Sequence, residues 1–119
     1  MPYIAPELRR ELDPLIDSLA HRLAAQAKAA GDDGAFAGLL NYACTRLALA
    51  VVQRRFGRLR YWLIAALTGV FHNMATEFYR RVAVPYEDRQ MLQSGDVDLF
   101  QEFAREIESS ETSGGGPGT

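Results

Sequence analysis

Apolar residues recur every three or four positions along most of the chain, and no stretch alternates with period two, so the pattern predicts helices and no sheet. Leu15, Ile16, Leu19, Ala20, Leu23 and Ala27 form one stripe of a helix over 14–30. Asp13 and Pro14 suit its cap and first turn. Residues 6–12 are helical in composition too, which instead places Pro14 at a kink within a longer helix. Gly31-Asp32-Asp33-Gly34 then breaks the pattern, with Asp33 placed to cap the second helix.

From Ala35 to Phe56 the chain is apolar on nearly every side, through Phe36, Leu39, Leu40, Leu47, Leu49, Val51 and Val52, the mark of a central, mostly buried helix. Arg46 is the one charged residue from Gly34 through Gln53. Gly57 ends this helix, and the next is predicted from about Leu59 to Val82. Its apolar face carries Leu59, Leu63, Ala66, Leu67, Val70, Phe71, Met74 and Phe78, and a polar stripe holds Gly69, Asn73, Thr76, Glu77 and Arg80. Val84-Pro85 predicts a break, because the residue before proline is pushed toward extended backbone. A short helical turn over 86–92 and an amphipathic helix over 97–108 (Leu99, Phe100, Phe103, Ala104, Ile107) complete the pattern, with 109–119 expected as a disordered tail. The expected architecture is all-α: a small bundle of three long helices plus one or two short C-terminal ones, in a single domain over 1–108.

At 119 residues the chain has room for one domain, and 48% hydrophobic with 24% charged residues is ordinary for a globular protein. The lone Cys44 excludes an intrachain disulfide and a multi-thiolate zinc site, and makes a reducing cytoplasm the expected compartment. The first ten residues lack the pattern of a secretory signal. Residues 35–53 and 59–75 are apolar enough to test as membrane spans. Asn41, Thr45 and Arg46 interrupt the first and His72-Asn73 the second, so no membrane association is expected.

Charge changes the picture more. The net charge of −2 conceals a separation: residues 34–84 carry seven Arg against Glu77 alone, for +6, while residues 1–33 sum to −2 and residues 85–119 to −6. An acidic last helix of one subunit could therefore cover the basic centre of another, and a homo-oligomer is expected.

Enzyme chemistry finds little footing. No glycine-rich phosphate loop follows a strand, His21 and His72 stand outside the Glu-x-x-His spacing of helical di-iron sites, and no Ser lies between residues 19 and 93. Two adjacent helices with only Glu77 cannot supply the carboxylate cluster of a magnesium-dependent pyrophosphohydrolase. A Cys44 and His72 pair reads better as an inert packed thiol and a histidine at a helix edge. No enzymatic activity, metal or cofactor is expected.

What remains is a polar constellation on apolar helices. Asn41 and Thr45, like Tyr42 and Arg46, stand four apart on one face; Asn73, Glu77, Tyr79, Arg80 and Arg81 come on the next helix, then Tyr86. One reading is structural: a buried Arg46 and Glu77 ion pair, supported by Tyr and Asn, that sets helix register. The other is a binding site. Arg46, Arg80 and Arg81 outnumber Glu77, arginine binds phosphate in a two-pronged fashion, and Tyr42, Tyr79 and Tyr86 supply rings for stacking. Glu87 and Asp88 oppose this surplus. A second basic cluster, Arg54, Arg55, Arg58 and Arg60 beside Phe56, Tyr61 and Trp62, suits a capped helix corner, an oligomer contact or a weak nucleic-acid contact.

Several blocks carry a resemblance: Met1-Pro2-Tyr3-Ile4, Leu40-Asn41-Tyr42 with Thr45-Arg46-Leu47, Glu77-Phe78-Tyr79-Arg80-Arg81-Val82, Pro85-Tyr86-Glu87-Asp88 and Gly95-Asp96-Val97. Over residues 1–97 the chain resembles an uncharacterised family of small phage and bacterial proteins. It departs from the family pattern in a longer approach to Asn41 over 32–39, and in the added helix and tail after Val97. The resemblance transfers no activity or catalytic residue. It does imply that the recurring blocks coincide with the polar constellation, and that a phage counter-defence role, as a sponge binding signalling nucleotides without cleaving them, is the function to test. The leading expectation is thus a non-enzymatic protein binding a small anionic, nucleotide-like ligand, with a protein-interaction or structural module as the alternative and a weak nucleic-acid binder third.

Overall fold

A computed structural model describes residues 2–113 and is helical throughout, with no strand among them. The segments are α1 (Pro6–Ala30), α2 (Ala35–Phe56), α3 (Tyr61–Phe78), a π turn (Tyr79–Ala83), α4 (Val84–Ser94) and α5 (Asp98–Ser113). Because α3, the π turn and α4 run on without interruption, there are four separate helical stretches.

The longer of the two possible first helices is the one formed. Pro6 occupies the first turn of α1, where its missing N–H costs nothing, and Pro14 lies inside the helix rather than at its start. Arg9 Nε donates to the Ile4 carbonyl at 3.0 Å, tying the entering segment to the first turn. At the far end Gly31 takes the left-handed conformation (φ 73°) and donates its N–H to the Lys28 carbonyl. The turn into α2 is organised by Asp32 and not by Asp33: its carboxylate accepts the Gly34 N–H at 3.1 Å and its carbonyl the Ala35 N–H at 3.1 Å. Gly34 itself holds the cap position, so the acid two residues upstream is the one in Asx-turn reach.

Pro85 does not break the chain as expected. Its ring would strike the carbonyl of Arg81 in a regular α-helix, and it has no N–H to donate there. The helix widens instead for one π turn, with the Val84 N–H reaching back five residues to the Tyr79 carbonyl, and α4 continues through Ser94. α5 also outruns its expected end at Glu108. The Ser109 and Ser110 hydroxyls donate to the Glu106 and Ile107 carbonyls at 2.9 and 2.8 Å, keeping hydrogen bonds local to the helix. Residues 114–119 of the expected tail lie outside the described residues.

The chain divides into two compact units, Met1–Ala75 and Thr76–Thr119. In the first, the short 31–34 link folds α1 back along α2 as a helical hairpin. Among the described residues only Val52 and Leu63 are buried apolar side chains, one in the last turns of α2 and the other in the first turn of α3. Beside them Phe56 and Trp62 meet edge to face at 5.2 Å, and the Arg55 guanidinium lies 4.8 Å from the Phe56 ring centre. α2 is therefore not the buried central helix its composition predicts: Phe36, Leu40, Leu47 and Val51 are each about half exposed or more. The physical reason is coverage. A helix that is apolar all round needs several neighbours, and α1 shields one stripe of it. α2 is also long and apolar enough to cross a membrane by length and composition.

Candidate anion-binding cleft

Tracing the face of α2 that bears Tyr42 and Arg46 for two more turns leads to a cleft of about 540 Å³ at the α2–α3 corner. Tyr42, Thr45 and Arg46 line it at one end, Leu49, Ala50 and Gln53 in the middle, and Arg54, Gly57, Arg58 and Leu59 at the other. Helical spacing explains the first six: positions 42, 45, 46, 49, 50 and 53 share one face of a 3.6-residue helix. Gly57 explains the last three. With φ at 81° it ends α2, donates its N–H to the Gln53 carbonyl at 2.9 Å, and turns Arg58 and Leu59 back beside the preceding helix face.

Three arginines thus border one cleft whose lining contains no acidic residue. Arg54 makes a long contact of 3.5 Å to the Ala50 carbonyl, and Arg46 and Arg58 remain exposed. The C-terminal carbonyls of α2 place partial negative charge near Arg54 and Arg55, which the arginines complement and which takes up part of their charge. Arg46 stands more than a turn before that end, and Arg58 lies beyond it.

The expected site residues separate between the units. Asn41 and Asn73 belong to the first unit, exposed and outside the cleft lining, while Glu77, Tyr79, Arg80, Arg81 and Tyr86 belong to the second. There the same residue types are engaged locally. Arg80 donates from one nitrogen to both oxygens of Glu77 at 2.9 and 3.1 Å, an i, i+3 pair on the helix. The Tyr79 hydroxyl donates to Glu87 at 3.2 Å across the π turn; that hydrogen bond and the negative charge beside it push the phenol above its ordinary value of 10.0. No polar or charged side chain is buried among the described residues: Arg46 is exposed and Glu77 half-buried, so neither meets the expectation of a buried ion pair.

Of the basic corner, Arg54 and Arg58 join Arg46 in the cleft, whereas Arg55 covers the Phe56 ring and Arg60 stands outside the lining. Reading the sequence as two clusters misses this union, along with Gln53, Leu49 and Leu59. The signal lies in the stripe of α2, once it is carried past Arg46 to the glycine that reverses the chain.

The molecule so described is an all-α chain with an arginine-lined cleft on a helical hairpin's open corner. It belongs to the family described as domain of unknown function DUF6899, whose model matches residues 1–97. No curated protein and no solved structure matches it significantly. The family match ends at residue 97, immediately before α5, so that the last helix lies outside the matched region.

Proposed function

We propose that the protein binds a small anionic, nucleotide-like ligand in the cleft along the C-terminal half of α2 and the turn after it, and does not turn it over. The observation that carries this reading is the meeting of Arg46, Arg54 and Arg58 with Tyr42, Thr45 and Gln53 around one cavity without an acid. Guanidinium groups bind phosphate oxygens in pairs, a tyrosine ring stacks on a base, and Thr and Gln satisfy ribose or base edges. The volume falls within the range of small-molecule sites, roughly 300–1,000 Å³. The lining holds no carboxylate, imidazole or thiol to serve as general base or nucleophile, which favours capture over catalysis. In a phage, such capture would withdraw a signalling nucleotide from its receptor.

A nucleic-acid contact through Arg54, Arg55, Arg58 and Arg60 draws less support, because Phe56 and Trp62 pack on each other and Arg55 on Phe56. Rings used in this way are withdrawn from base stacking. The test is a thermal-shift and calorimetric screen of the full chain against cyclic dinucleotides, cyclic trinucleotides and ADP-ribose. A ligand present at a hundred times its Kd should stabilise the fold by about 2.7 kcal/mol. Absence of both heat and melting shift across the screen would overturn the proposal.

A further inference from the structure

A second surface has no role in that cleft. Along the α1–α2 hairpin runs an open apolar groove of about 350 Å³, lined by Ile16, Leu19, Leu23, Phe36, Leu40 and Leu47 with Ala20, Ala24, Ala43 and Cys44 between them. Every lining residue is apolar, and all the larger ones except Leu23 stay substantially exposed: Ile16 56%, Leu19 44%, Phe36 59%, Leu40 49%, Leu47 56%.

We infer that a second copy of this chain covers the groove, hairpin against hairpin, to build a four-helix core shared by two protomers. Exposure argues for a partner. Among the described residues of the Met1–Ala75 unit only Val52 and Leu63 are buried apolar side chains, while Ile16, Leu19, Phe36, Leu40 and Leu47 each leave about half of a large side chain in solvent. A standard interface covers roughly 800 Å² per partner, enough to give the hairpin the core it lacks. Shape argues for self-recognition. Two antiparallel helices with one open apolar seam are half of a four-helix bundle, and the groove mixes large side chains with Ala20, Ala24, Ala43 and Cys44, so that knobs of one copy meet holes in its mate. A two-fold axis places the same patch on both sides and closes the assembly.

Lipid is the competing occupant, since α2 has the length and apolarity of a membrane span. The hairpin argues against it. α1 lies along α2 and carries Glu11, Asp13, Asp17, Arg22 and Lys28, charges that a hydrocarbon interior would have to accept together with Arg46.

The native Cys44, in the groove and absent elsewhere in the chain, reports on the interface without mutation. Light scattering of the full-length protein without ligand should give the mass of a dimer or a multiple of it. The reaction of Cys44 with a thiol reagent should be about tenfold slower in the assembled protein than after dilution into monomer, because burial blocks access to the thiol. Leu40→Glu should yield a helical monomer with a rapidly reacting Cys44. If that variant fails to fold, the dilution series on the natural chain still decides. A monomer at about 100 μM, an assembly whose Cys44 reacts as fast as in denaturant, or sedimentation with phosphatidylcholine vesicles would each overturn the inference. None of these readouts depends on ligand binding at the arginine cleft.

Discussion

The two units hold similar polar residues in opposite states. In the second, Arg80 is tied to Glu77 three residues away and Tyr79 to Glu87 eight residues away, so cation and phenol are each met by a carboxylate of their own stretch of helix. In the first, Arg46, Arg54 and Arg58 stand with Tyr42 around a cleft whose lining has no carboxylate. The difference teaches that arginine count alone does not locate an anion site. What counts is arginine in excess of the acids within reach, and reach is set by helical spacing in one unit and by the turn at Gly57 in the other.

The largest effect should come from the core of the first unit. Leu63 is 3% exposed, and Leu63→Ala should cost about 2–5 kcal/mol by denaturant unfolding, the range for a buried leucine. A loss below about 1 kcal/mol would mean that this corner does not hold the cleft in place. Next in size is affinity. Arg46→Ala and Arg58→Ala should each weaken a bound nucleotide by about 1.5–3 kcal/mol, tenfold or more, the worth of a charge-assisted hydrogen bond. Both side chains are exposed, so the melting temperature without ligand should hardly move. Arg80→Ala, in the contrasting unit, should leave affinity unchanged; if it and not Arg46→Ala abolished binding, the comparison would be reversed.

Gly57→Ala comes third. A Cβ there meets nothing within 4 Å, so the penalty is that of a positive φ of 81°, about 1 kcal/mol. Calorimetry of this variant asks whether the turn that carries Arg58 to the cleft tolerates strain. A smaller effect is expected of Glu77→Gln, less than about 1 kcal/mol, because the pair it removes is largely solvated on the Arg80 side. The last prediction concerns pH. The Tyr79 phenol is held above 10.0 because its proton is shared with Glu87, so the proton favours the folded state. Its contribution is complete below pH 10 and fades as pH rises through the raised value. Ultraviolet difference titration of the natural chain against Tyr79→Phe should place the Tyr79 ionisation above 10.0, and Glu87→Gln should lower it.

Helix positions are legible in the sequence because hydrophobic spacing is a local property: α2 ends at Phe56 as Gly57 predicts, and α1 ends at Ala30, before Gly31. Pro85 reads as a break in sequence and is none in the fold, because proline's conflict with a carbonyl four residues back has two solutions, an end to the helix or one wider turn. Which one occurs depends on whether the flanking residues gain by staying helical. Asp32 displaces Asp33 as the turn's anchor for a similar reason, since the two differ by one residue in a loop whose exact path the pattern does not specify.

The sequence by itself determined that the chain is helical, that its arginines gather in the middle third, and that a single cysteine sits among apolar residues. These come from composition and from periods of three and four, which depend on neighbours along the chain. Tertiary structure alone decided that Arg58 is carried to the face of α2 that bears Tyr42, Arg46 and Arg54, and that Phe36, Leu40, Leu47 and Val51 of α2 stay about half exposed. Those outcomes turn on how the chain reverses at Gly57 and how many helices press on α2, and no periodicity in one helix records what lies against it.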